Sequence, residues 1–172
     1  MAVSTVTKHF TDGTLVLSDG TGVAVTFSMP LTVGDVTIDG VGQKMREPVV
    51  YQTRGVAHSI RHAARAFATV SLTAHIADYS DGTDATAIDF FLKSGSFASN
   101  ASVFGANAEV YGLDLILTIE GTDHGDAADH VISMLNFVGT IGIAEGEPNT
   151  LSVSGTLYDM GDGTLTNSLT IT

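Results

Sequence analysis

Residues 67–76, Phe67-Ala68-Thr69-Val70-Ser71-Leu72-Thr73-Ala74-His75-Ile76, decide the fold class. Ala68, Val70, Leu72, Ala74 and Ile76 recur at every second position, with Phe67, Thr69, Ser71, Thr73 and His75 between them. A period of two puts the first set on one face of a strand and the second on the other. The pattern continues in both directions. Upstream, Leu15 and Leu17 alternate with Val16 and Ser18 before an Asp19-Gly20 turn, and Val23, Val25 and Phe27 line a second strand. Val36 and Ile38 sit between Asp35, Thr37 and Asp39. Downstream, Tyr111, Leu113, Leu115, Leu117 and Ile119 oppose a face holding Asp114, Thr118 and Glu120. Val131, Leu135 and Phe137 open another strand that Ile141 and Ile143 extend; Leu151, Val153 and Leu157 form the next, and Leu165, Leu169 and Ile171 close the chain. About eight strands punctuated by Gly, Asp and Asn predict a mainly β sandwich or barrel.

Two segments break the alternation. Ala85, Ile88, Phe91 and Leu92 have helical spacing, with Asp84 as an N-cap and Gly95 at the C′ position, so one helix flanks the sheet. The segment 40–66 holds Gly40, Gly42, Pro48 and Gly55 and alternates poorly, which predicts an extended arm or long hairpin. A short helix over His58–Arg65 is the competing reading, because Arg61 and Arg65 are four apart.

Charge singles out the same segment. Five of the chain's seven basic residues, Lys44, Arg46, Arg54, Arg61 and Arg65, lie within 44–65 beside one acid, Glu47, for a net charge of +4. The remainder carries two cations against 18 acids, a net charge of −16. A chain so divided suits head-to-tail association with copies of itself. A pI near 4.5 opposes phosphate binding by the bulk surface, whereas DNA can pass an acidic wall without sticking. At 172 residues and 44% hydrophobic content, one domain with an ample core is expected. Met1 to Thr5 shows neither a basic nor an apolar signal region, and no apolar run approaches a membrane span, so synthesis in the cytoplasm is expected.

Catalytic chemistry finds no anchor. Cysteine is absent, which excludes thiolate nucleophiles, thiolate metal sites and disulfides. The run Asp123-His124-Gly125-Asp126-Ala127-Ala128-Asp129-His130 offers five possible metal ligands, but its glycines and missing terminal Glu favour a solvated hairpin loop. His58 and His62 have zinc-pair spacing, yet Ser59 stands where a metalloprotease motif needs Glu. Gly40-Val41-Gly42 lacks the final glycine of a dinucleotide loop, since Met45 takes that place. Glu145 and Glu147 share one strand rather than flanking a substrate, and no serine occupies a nucleophile elbow. No enzyme, metal or cofactor is expected.

Four stretches resemble the major tail tube proteins of long-tailed bacteriophages: Asp12-Gly13-Thr14-Leu15-Val16-Leu17-Ser18-Asp19-Gly20-Thr21-Gly22 with Asp35 to Gly40; Tyr51-Gln52-Thr53-Arg54-Gly55; Asp81 to Asp84 leading into Ile88 to Gly95; and Ala144 to Leu151. Their order covers nearly the whole chain. The resemblance implies a single tail tube domain over 1–172, a sandwich with one flanking helix that assembles as stacked hexameric rings around a lumen. It implies a long loop reaching the next ring, to which the cationic segment corresponds. The expected contacts are therefore Lys44, Arg46, Arg54, Arg61 and Arg65, and the expected lumen residues are Asp114, Thr118 and Glu120. Implied partners are further copies of the chain, a tape measure protein and tail-end proteins, with genomic DNA passing unbound and the product residing in the virion tail. The alternative is an acidic adhesion or carbohydrate-binding sandwich, which predicts aromatic platforms and leaves the cation cluster unexplained. A tube component of a contractile or secretion machine would share the ring architecture.

Overall fold

The structure is a computed structural model describing residues 13–29, 36–40, 48–62, 66–76, 79, 85–122, 125–146, 148–158 and 169–171. It is mainly β with one short α-helix. The strands are β1 (Gly13–Ser18), β2 (Thr26–Met29), β3 (Thr37–Asp39), β4 (Pro48–Thr53), β5 (Val56–His62), β6 (Ala68–His75), β7 (Leu113–Ile119), β8 (His130–Ala144), β9 (Thr150–Leu157) and β10 (Leu169–Ile171). Eight of them form an antiparallel sheet in the order β2-β1-β7-β8-β9-β6-β3, with β10 also on β8, and β4 and β5 make a separate ribbon.

The 15-residue β8 joins the halves of the sheet. Its first half pairs with β7, from Ile119↔His130 to Leu113↔Phe137, and its second with β9, from Phe137↔Leu157 to Ala144↔Thr150. Leu15, Leu17, Leu115, Leu117 and Met134 on one side share a single buried cluster with Val70, Leu72, Val153 and Leu157 on the other. A continuous sheet whose halves share a core must curl over itself, as the sandwich reading requires. Each such side chain contributes about 1.5–3 kcal/mol by leaving water. In β6, β7 and β9 the inward residues are those the alternation selects.

β8 departs from its expected phase. Ile132, Met134 and Phe137 are buried, Leu135 is exposed and Val131 half-buried. The cause is a bulge: Asn136 has φ 57 and the β7–β8 register shifts between Leu113 and Leu115. One extra residue reverses the facing of everything on one side of it. The Asp114 carboxylate holds the bulge, its Oδ1 accepting the Asn136 N–H at 2.8 Å, while Tyr158 N–H donates to the Asn136 carbonyl at 3.0 Å.

Val23 and Val25 also lie outside the strand assigned to them. Val23 is 90% exposed, and β2 begins only at Thr26. Asp19 explains the longer loop. Its Oδ1 accepts from Val25 N (2.7 Å) and from the Thr21 hydroxyl (2.8 Å), and its Oδ2 accepts from Ala101 N (3.0 Å), 82 residues away. Gly20 follows because a Cβ there would lie 2.1 Å from the Ser102 carbonyl oxygen. Burial alone would push the Asp19 carboxyl up, but the N–H donors of Ala101 and Val25 with those of Thr21 outweigh it and hold the pKa below the ordinary value. A depressed folded-state pKa stabilises the fold above the unfolded value near 3.8 and loses that contribution as pH falls through the lower one. Asp19→Asn keeps the size but turns an NH2 toward one of the donors. It is expected to lower stability at pH 7 by about 2 kcal/mol and to flatten the acid limb of the stability curve, read by urea denaturation between pH 2 and 7.

The helix α1 spans Ala87–Leu92, and its cap is Thr86 rather than Asp84, which lies outside the described residues. Thr86 Oγ1 accepts from Asp89 N at 3.1 Å and donates to Asp89 Oδ2 at 2.9 Å, a reciprocal capping arrangement with Asp in the third position. Asp89 is fully buried and also accepts from Ser94 Oγ at 2.7 Å. Lys93, at φ 54, takes the left-handed C-terminal position assigned to Gly95, which instead opens a 3-10 turn, Gly95–Phe97. The buried face is Ile88 and Phe90, with Phe91 packed beside them, and Leu92 is exposed. Phe90, Phe97 and Phe27 form an aromatic cluster, the Phe90–Phe97 centroids 4.8 Å apart, that fixes α1 to the end of the sheet.

Candidate assembly surfaces

The cationic segment resolves into an antiparallel ribbon. Thr53↔Val56 closes a two-residue loop, Arg54-Gly55, with φ 51 and 79. Positive φ at both central residues is what a type I′ hairpin turn requires, and glycine supplies one of them without strain. The strand β5 runs through His62, so the helix considered over His58–Arg65 is replaced by a strand at least that far. Arg54 lies at the tip and Arg61 on β5 opposite Val49. Lys44, Arg46 and Arg65 lie outside the described residues.

Every residue of β4 is exposed. Val49, Val50, Tyr51, Val56 and Ile60 are between 39% and 70% exposed. The register puts Val49, Tyr51 and Arg61 on one face and Val50 with Ile60 on the other. A two-stranded ribbon that buries neither face is marginal by itself, and apolar side chains concentrated on it mark a contact surface. Sequence reasoning located the cations but missed this apolar content, whose signal was the run Val49-Val50-Tyr51.

Asp114, Thr118 and Glu120 do share the outward face of the β7 segment, beside Ser18 and Thr14 of β1 and Val131 of β8. Thr118 is half-buried and Glu120 exposed. Asp114 is half-buried and engaged at the bulge, and burial raises its pKa more than the Asn136 N–H lowers it. Its ionised form is thus disfavoured by folding, so its contribution to stability grows as pH falls toward and through the raised value. Asp114→Asn retains an acceptor for Asn136 and sheds the charge. It is expected to leave the melting temperature at pH 7 unchanged or higher; a clear fall would show that the carboxylate charge itself secures the bulge. A second outward face, unassigned from sequence, is a shallow depression of about 350 Å³ lined by hydroxyls of Thr37, Thr69, Ser71, Ser154 and Thr156 with Asp39.

Of the Asp123–His130 run, Asp123 and His124 lie outside the described residues, and the remainder is organised by side-chain to backbone bonds. Asp129 accepts from Gly121 N, Thr122 N and the Thr122 hydroxyl, which hold its carboxyl below the ordinary range, and His130 pairs with Asp126 at 2.9 Å. Among the described residues no three His, Asp or Glu side chains converge on a metal position. Glu145 follows β8, while Glu147 lies outside the described residues.

No protein-family model and no curated protein matches the chain. In fold it is similar to a chain in the cryo-EM structure of the anti-feeding prophage (AFP) baseplate, 6-fold symmetrised. The TM-score is 0.50 at 8% identity, over 100% of this chain and 97% of that one. The likeness extends from one end of the chain to the other, and at that identity it is a likeness of fold.

Proposed function

We propose that this protein is a structural subunit of a phage tail, polymerising through stacked hexameric rings into a tube whose acidic channel passes DNA. The observation that carries the reading is the β4–β5 ribbon, apolar on both faces and cationic, on a chain that is otherwise strongly acidic. Fold similarity along the whole length to a subunit of a six-fold phage-derived baseplate supports it. Among the described residues the sheet ends at β2 and β3, and on this reading those edges join neighbours around a ring, which removes open strands by closure. The ribbon then links ring to ring, a heterologous contact that repeats without closing and so builds a filament. Thr118, Glu120 and Asp114 line the channel on this reading, where like charge keeps DNA from adhering. Tube length would be set by a separate partner such as a tape measure protein, because an open stack does not count its own rings.

Sedimentation velocity on concentrated protein tests the proposal. Species of ring size and above are expected, with the larger ones dissociating between about 0.1 and 1 M salt as the Debye length falls from ~10 to ~3 Å. A monomer at every concentration would contradict it, and assemblies indifferent to salt would move the ring-to-ring contact from the cations to the apolar side chains of the ribbon.

A further inference from the structure

We propose that a groove lined by Phe104, Ala108, Glu109, Val110, Val138 and Tyr158 is the seat for the β4–β5 ribbon of a second copy of this chain. The inference rests on the assembly reading above and names the receiving surface. The groove is an open one of about 650 Å³. It brings together the loop before β7, the second half of β8 and the residue after β9.

Its walls are set in advance. The buried Ser102 hydroxyl donates to the Val110 carbonyl at 2.7 Å and accepts from Gly112 N at 3.0 Å and Phe104 N at 3.3 Å, pinning both ends of the loop. Gly112 lets the Phe104 ring lie over it, since a Cβ would come within 2.3 Å of that ring. Tyr158 packs against Phe67 in a tilted contact, centroids 5.1 Å apart, yet keeps 38% of its surface exposed, and Val110 keeps 50%. A rigid apolar wall left open to water loses little entropy when something covers it.

The occupant is indicated by complementarity. One face of the ribbon presents Val49, Tyr51 and Arg61 together, with Arg54 at the tip. Residues 48–62 contain no acid. The described lining of the groove is apolar apart from one carboxylate, Glu109, and among the described residues neither Glu109 nor the two arginines has an ion-pair partner. Apolar side chains therefore meet apolar wall while opposite charges meet at the rim, where they set register and orientation.

Because the chain lacks cysteine, the contact is testable by mixing single-cysteine variants. Thr53→Cys, on the Tyr51 face, is mixed with Ala108→Cys in the groove, and separately with Val23→Cys in the exposed β1–β2 loop. Oxidation under assembly conditions is expected to join the first pair with roughly tenfold the yield of the second, since a fixed contact raises effective concentration. Sedimenting assemblies with no such preference would overturn the groove as receptor while leaving the assembly reading standing. Absence of any sedimenting assembly would overturn both.

Discussion

Reversing both described cations of the ribbon, by Arg54→Asp with Arg61→Glu, is expected to leave a folded subunit that no longer assembles. The choice of Asp at position 54 follows from backbone geometry. Arg54 sits at φ 51, a region where Asp is among the better tolerated non-glycine residues, and Asp-Gly is a favoured type I′ pair. The hairpin turn is therefore kept while its tip changes sign. Both side chains are exposed, so the subunit's own stability should move by less than ~0.5 kcal/mol. Each contact with an acidic neighbour becomes a repulsion, and two such reversals cost on the order of 3–5 kcal/mol per subunit. That corresponds to a roughly 150- to 4,000-fold rise in the concentration needed to assemble. Native circular dichroism with a monomeric sedimentation profile is the expected result; wild-type tube yield would show that the ribbon's charge is dispensable.

Phe90→Ala is expected to produce the largest loss of subunit stability among single changes on the helical side. The ring is fully buried, lies 4.8 Å from Phe97 and 6.1 Å from Phe27, and its own carbonyl accepts the Tyr111 hydroxyl at 3.2 Å. A six-residue helix has too few turns to be stable without tertiary packing. Removing its anchor leaves a cavity and loosens the buried Thr86–Asp89–Ser94 bonds that depend on the helix position. A cost of about 3–5 kcal/mol follows for a buried Phe→Ala change, and a fall of roughly 6–20 °C in melting temperature for a domain of this size. Thermal melts followed by circular dichroism check it. A loss below ~1 kcal/mol would mean that the helix contributes little to holding the β2 end of the sheet.

Where one face of a strand is buried without interruption, its residues are readable from sequence. In β6, β7 and β9 every second residue points inward, and alternation alone identifies the core. Two of the failures share a physical cause: local signals were overridden by side chains from outside the strand concerned. The phase of β8 depends on a bulge at Asn136 held by Asp114, 22 residues earlier. The start of the second strand depends on the Asp19 carboxylate capturing Val25 N–H. At the helix start the sequence reading names Asp84 as the cap, but Thr86 takes the role because Asp89 stands three residues on to complete the pair. Arg-Gly is not a common hairpin signal, so the ribbon's turn was hidden, although its charge located the segment. The groove is assembled from three separated stretches and had no sequence signature.

Negative-stain electron microscopy of the purified, concentrated chain tests the central claim most directly. Six-fold rings or hollow tubes with an axial ring repeat are the predicted images. Uniform monomeric particles across the accessible concentration range would contradict assembly by this chain alone and return the exposed ribbon to the status of a surface for some other partner.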